Sequence, residues 1–239
     1  MEIEETKSVH DVLQLAELLI STDGAAVGEV VGETGTGKTQ AAHAAMKHYD
    51  GVRVCCHEGM TRYQLVARIT SGLGIEGPST RWLELLSAYQ ERSGIRPLLV
   101  VDEANKLKWQ ALEVLRYLVD ECGFAVMLVG TGLYERQFSH ARTRPLLLQL
   151  GNRIGAKRAR MGHLDRAECA RYVLTPKFGE VDKEIVTKFW SGCRRGNWRE
   201  AVELSGECLR LAQLNNTQTL TNGVLEAALN WFANRRDAA

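Results

Sequence analysis

Gly32-Glu33-Thr34-Gly35-Thr36-Gly37-Lys38-Thr39 match the phosphate-loop pattern G-x-x-x-x-G-K-[ST] at every fixed position. This pattern constrains the fold because the loop works only between a strand and a helix. Both flanks fit. Ala26 to Val31 is apolar with one break at Glu29, and Gln40 to Met46 reads as the helix that follows. Glycines let the backbone curl so that successive N–H groups point at phosphate oxygens. The helix N-terminus adds partial positive charge. Lys38 reaches the β- and γ-phosphates, and the Thr39 hydroxyl holds Mg²⁺. The expected nucleotide-binding set is Gly32, Glu33, Thr34, Gly35, Thr36, Gly37, Lys38, Thr39 and Gln40, with ATP and Mg²⁺ as cofactors.

A phosphate loop needs a carboxylate from another strand to hold its metal. Leu98-Leu99-Val100-Val101 run into Asp102-Glu103, the form of a buried parallel strand ending at a ligand. Asp102 is expected to hold Mg²⁺ with Thr39, directly or through water, and Glu103 to orient and polarise the attacking water. Phe124 to Val129 is a further buried strand, and Thr131 just beyond it is placed to touch the γ-phosphate or the water.

The chain has 239 residues, enough for one α/β domain with a small appendage. A net charge of +1 singles out no partner, so any nucleic-acid surface must be local. No apolar run reaches the about 18 residues of a membrane span. Met1-Glu2-Ile3-Glu4-Glu5 lacks the form of a signal peptide, which points to the cytoplasm and away from membranes. None of the six cysteines forms a C-x-x-C pair. Cys55-Cys56-His57 lacks a second ligand pair, so the cysteines read as buried or partly buried free thiols.

Strand and helix signals alternate through the first two thirds of the chain. Helices are expected over Val9–Ile20 (capped by Ser8), Thr61–Leu73, Trp82–Arg92 and Lys108–Glu121, with a short strand over Val52–Cys56. The alternation predicts an α/β, mostly parallel sheet with helices on both faces. Arg136 to His163 contains no acid and carries Arg136, Arg142, Arg144, Arg153, Lys157, Arg158 and Arg160, a basic segment suited to phosphates. From Leu164 onward only helices are signalled. Asp165 and Glu168 form a capping box, and further helices run over Asp182–Cys193, Trp198–Asn215 and Thr221–Arg235. The division expected is residues 1–162 as nucleotide-binding core and 163–239 as helical lid.

An α/β phosphate-loop core with a C-terminal helical lid resembles the AAA+ ATPases. Gly32 to Thr39, Leu98 to Ala104, Leu128-Val129-Gly130-Thr131 and Gly196-Asn197-Trp198-Arg199-Glu200-Ala201 are similar to the transposition target-selection group, the phage Mu B protein and the TnsC and TniB regulators. The resemblance implies that Arg199 is the lid's sensor arginine, leaning onto the γ-phosphate. It implies that Arg153, within Leu150 to Ile154, is the arginine finger entering a neighbour's site, with Arg144 as the alternative. Thr131 stands where an Asn is common. Mu B also carries an N-terminal helix-turn-helix domain, for which no room exists before Val9.

The resemblance further implies self-association into a ring or helical filament on duplex DNA, largely without sequence preference. Thr61, Arg62, Lys106 and Lys108 are the expected DNA-contacting residues. The implied function is ATP-dependent selection of target DNA and recruitment or stimulation of a transposase, with ATP hydrolysis driving disassembly. The Asn234-Arg235-Arg236-Asp237 tail is a candidate docking point for that transposase. The alternatives are a helicase loader resembling DnaC or IstB and a secretion-type ATPase resembling ExeA.

Overall fold

The computed structural model describes residues 6–132 and 144–236. Met1 to Glu5, Arg136, Arg142 and Asp237 therefore lie outside the described residues. The chain divides into two compact units, residues 1–34 with 38–161, and residues 35–37 with 162–239.

The first unit is built on a five-stranded sheet in the order β2-β3-β4-β1-β5. Its strands are β1 (Val27–Gly32), β2 (Val52–Cys55), β3 (Leu98–Asp102), β4 (Ala125–Gly130) and β5 (Arg158–Met161). Every pairing is parallel, so the C-terminal ends of β1, β3 and β4 open at one edge. The helices are α1 (Lys7–Ser21), α2 (Lys38–His48), α3 (Arg62–Gly72), α4 (Trp82–Ser93), α5 (Trp109–Asp120) and α6 (Arg144–Ile154). The α/β parallel sheet read from the alternation is the fold observed.

Two cores cover the two faces of the sheet. Val12, Leu19, Ala41, Ala42 and Ala45 of α1 and α2 pack with Val30, Leu98, Val100, Met127 and Val129. Leu65 of α3, Leu112 and Leu115 of α5 and Leu150 of α6 pack with Leu99, Val101, Val126 and Leu128. Successive strand side chains point to opposite faces. Each fully buried leucine contributes about 1.5–3 kcal/mol. Both faces are covered, which is why β3 and β4 read as unbroken apolar runs rather than alternating ones.

Three details differ from the sequence reading. Thr6, not Ser8, caps α1, its Oγ1 accepting the Val9 N–H at 3.3 Å. The basic segment contains a strand, β5, whose polar–apolar alternation runs over only four residues, too few to stand out in the sequence. Glu29, the break in β1, pairs with Arg158 directly across from it on β5. A buried carboxylate is tolerated there because it meets a cation.

The second unit is helical. Its first helix, α7, is composite: Arg166–Glu168, the π-helical Cys169–Leu174, then Thr175–Phe178. The Asp165–Glu168 capping box is present in both directions. Then come α8 (Lys183–Gly192), α9 (Trp198–Leu214) and α10 (Asn222–Arg236). Asp182 and Asn197 cap α8 and α9, and Thr221 Oγ1 accepts the Val224 N–H at the start of α10. Leu164, Leu174, Phe189, Leu204 and Leu225 are among the buried core of this unit.

One position holds the turn before α9. Arg194, Arg195 and Gly196 all have positive φ, and the Gly196 carbonyl accepts the Leu164 N–H at 2.8 Å. A Cβ at Gly196 would overlap the Leu164 carbonyl. Gly196→Ala is expected to destabilise this unit by at least about 2 kcal/mol, read as a lowered denaturant midpoint.

Candidate nucleotide site

The phosphate loop leaves β1 at Gly32 and enters α2 at Lys38. Gly35 (φ 84°) and Gly37 (φ 87°) are both left-handed, a conformation costly for other residues. Lys38 Nζ donates to the carbonyls of Gly32 (2.9 Å) and Glu33 (2.6 Å), which holds the ammonium inside the curl of the loop. Thr36 is buried, Gln40 is half-buried, and Glu33, Thr34 and Thr39 are exposed. Within the second unit, the Gly35 carbonyl accepts the Arg199 N–H at 3.1 Å, and a Cβ at Gly35 would overlap the Asn197 side chain. The Arg199 side chain is exposed.

Asp102 ends β3 and is 2% exposed. Leu98 and Val100 belong to the core shared with α2, so strand alternation puts Asp102 on that same face. Its Oδ1 accepts the Glu103 N–H at 2.9 Å, and its Oδ2 accepts from Arg53 Nη2 at 2.6 Å. Glu103 has φ 55°, a strained value for a residue with a side chain, of the kind that collects at functional sites. Its carboxylate is partly exposed and lies 3.3 Å from Lys106 Nζ.

Because β4 lies between β1 and β3, the segment after β4 stands between the phosphate loop and the acidic pair. Thr131 occupies it. Its N–H donates to Asn105 Oδ1 at 3.2 Å, while its Oγ1 is buried without a partner among the described residues. A buried hydroxyl left unpaired costs about 1–3 kcal/mol, a cost that a phosphate oxygen or bound water would remove. The site's oxygen donors, the Thr39 hydroxyl and the Asp102 carboxylate, suit a hard cation such as Mg²⁺. The loop curl, the lysine, the donor set and the orphaned hydroxyl together fit a Mg²⁺–nucleoside triphosphate.

Of the other sequence-singled residues, Lys106 reaches this edge through Glu103. Arg153, on α6, forks onto Asp120 of α5 with both nitrogen–oxygen distances at 2.7 Å, and Arg116 holds the same carboxylate at 2.8 Å. Arg144 is exposed at the start of α6. Thr61 is the N-cap of α3, its hydroxyl engaged in a capping box with Gln64. Arg62 begins α3 and is exposed, Lys106 is paired with Glu103, and Lys108 is exposed at the N-cap of α5. Cys55 is exposed and Cys56 buried. Burial first, then Cys55 and Asp102, push the Cys56 thiol up to about 12, so it is protonated at neutral pH.

Two contributors escaped the sequence reading. Arg53 is one arginine in a short strand, with nothing in its neighbours to mark Asp102 as its partner. Asn105, two residues past Glu103, bonds to a residue 26 positions away.

Among the described residues, no helix is long and apolar enough to cross a membrane. A family model described as an AAA domain matches residues 21–138. A search of curated proteins finds no match. Among solved structures, Cdc6p from Pyrobaculum aerophilum is similar with a TM-score of 0.66 at 18% identity, over 90% of this chain and 63% of that one. The Aeropyrum pernix ORC2 protein, in ADPNP-ADP complexes, gives 0.63 at 13% identity, over 94% of this chain and 66% of that one. Drosophila ORC bound to DNA gives 0.62 at 14% identity, over 93% and 59%. This chain spans less than two thirds of the length of each. Residues 21–138 thus match an AAA domain, and the chain has the α/β fold of the P-loop AAA+ ATPases.

Proposed function

We propose that this chain is a cytoplasmic ATPase that assembles with ATP on duplex DNA, marks it as a target, recruits or stimulates a transposase, and disassembles after hydrolysis. The observation that carries the ATPase part is the shared edge of β1, β4 and β3. It lines up the phosphate loop, an unpaired Thr131 hydroxyl and the Asp102–Glu103 pair. The DNA part is supported by the fold likeness to Drosophila ORC bound to DNA. The transposition part is supported by the motif resemblance of residues 128–131 and 196–201.

In this reading the loop N–H groups and Lys38 hold the triphosphate, and Thr39 and Asp102 hold Mg²⁺. The metal, when bound, would supply neutralisation of the charge that develops on the phosphates. Glu103 accepts a proton from the attacking water as the water oxygen bonds to the γ-phosphorus and the bond to the bridging oxygen breaks. Thr131 donates its free hydroxyl to the water or the γ-phosphate. Arg199 senses the γ-phosphate from the helical domain, residues 163–239. Arg62, Lys106, Lys108 and Thr61 contact DNA phosphates, giving affinity that falls steeply with salt. The tail from Asn234 to Asp237 docks the transposase.

Arg153 is the proposed finger, and its fork onto Asp120 supplies a discriminating test. A finger stabilises transition-state charge by roughly 10³–10⁵-fold. Arg153→Ala is therefore expected to lose assembly-dependent hydrolysis, while Asp120→Asn, which removes the ion pair and leaves the contact with the Gln149 carbonyl, keeps it. Equal losses in the two variants would make Arg153 a clamp between α5 and α6 instead.

Electron microscopy of the protein with duplex DNA, with and without ATP or a non-hydrolysable analogue, tests the assembly. Filaments or stacked rings that need both DNA and nucleotide are expected. DNA-independent rings, or monomers throughout, would favour the secretion-type or helicase-loader reading.

A further inference from the structure

Arg53 lies in the middle of β2, between Val52 and Val54. Val54 faces the core of α3 and α5, so Arg53 points to the opposite face, that of α2 and Asp102. Its Nη2 reaches Asp102 Oδ2 at 2.6 Å, with the two side chains 19% and 3% exposed. Among the described residues, buried Arg53 Nε has no hydrogen-bond partner, so the guanidinium is held by the carboxylate rather than by a wider network on that atom. The other carboxylate oxygen accepts the Glu103 N–H. Both oxygens of the residue assigned to the metal are thus engaged by the protein itself.

A buried carboxylate that loses its paired cation is left with an uncompensated charge. A divalent ion can take over that compensation, but it meets a guanidinium already on Oδ2. We propose that Arg53 is a positioning residue that serves as the internal counter-cation of Asp102. It neutralises and aims the carboxylate before Mg²⁺ arrives, and it competes with Mg²⁺ for Oδ2, which raises the Mg²⁺ concentration the site requires. This rests on the reading of Asp102 as a metal-holding residue.

Two consequences separate this from a purely structural ion pair. Removing the guanidinium strengthens Mg²⁺ binding, and Mg²⁺ with nucleotide restores the stability that the variant loses. A structural pair would do neither. The chain and its Arg53→Gln, Arg53→Lys and Asp102→Asn variants would be titrated with Mg²⁺ at saturating fluorescent mant-ADP. Thermal unfolding would be followed with mant-ADP, with and without Mg²⁺.

Arg53→Gln is expected to lower the Mg²⁺ midpoint by roughly five- to tenfold, the scale of one charge-assisted hydrogen bond. Its melting temperature should rise with Mg²⁺ by more than that of the parent chain. Arg53→Lys, which keeps the charge but loses the planar fork, should shift the midpoint the same way by less, and it serves if the glutamine variant does not fold. An unchanged midpoint in the arginine variants, or a stability loss that Mg²⁺ leaves in place, overturns the proposal. If Asp102→Asn binds Mg²⁺ like the parent chain, the metal assignment of Asp102 itself fails.

Discussion

Lys38→Ala is expected to bind ATP at least roughly a hundredfold more weakly, because each charged hydrogen bond to phosphate contributes about 1.5–3 kcal/mol. Lys38 Nζ is already poised within the loop, on the carbonyls of Gly32 and Glu33. Exchanging these carbonyls for phosphate oxygens requires rotation of one side chain, with no rearrangement of β1 or α2. The alanine variant should keep its fold, since Lys38 is only half-buried. Calorimetric titration with ATP measures the loss, and electron microscopy on DNA should show no assemblies. An unchanged affinity would remove the phosphate loop from the proposal.

Glu103→Gln should leave ATP binding intact and cut hydrolysis by about 10²–10⁴-fold, the usual contribution of a positioned base. Glutamine keeps the shape of the side chain and loses the negative charge that takes the proton. Assemblies on DNA should therefore persist longer than those of the parent chain. The backbone at Glu103 adds an internal control. With φ at 55°, the residue sits where glycine is at ease, so Glu103→Gly should lose hydrolysis while gaining stability. A site that trades stability for function predicts this pairing. Wild-type turnover in Glu103→Gln, measured as phosphate release, would remove the catalytic assignment.

Legibility in the sequence differed from residue to residue. Gly32 to Thr39 was readable because glycines, lysine and threonine at fixed spacing encode a backbone path directly. The Asp165–Glu168 capping box was readable for the same reason, since both hydrogen bonds close within four residues. Strand β5 was not readable, because Arg158 and Arg160 alternate with Ala159 and Met161 in only four residues. Thr6 replaced Ser8 as the cap of α1 because either hydroxyl could serve, and only the geometry of the first turn selects between them. The Arg153–Asp120 fork joins residues 33 positions apart, a separation over which no local signal carries.

By itself the sequence determined the parts that short stretches of chain dictate. These are the phosphate loop, the buried strands running into Asp102 and beside Thr131, the alternation that requires a parallel sheet, and the change to helices after Leu164. The tertiary structure alone decided which strands became neighbours. β3 and β4 are similar apolar runs, and nothing within either states that β4 inserts between β1 and β3. That order follows from how all the faces are buried at once. It places Thr131 between the phosphate loop and the acidic pair, Arg158 beside Glu29, and Arg53 on Asp102. Charges hidden in otherwise apolar strands are stable only against partners brought from elsewhere in the chain, so their meaning emerges only when the sheet is assembled.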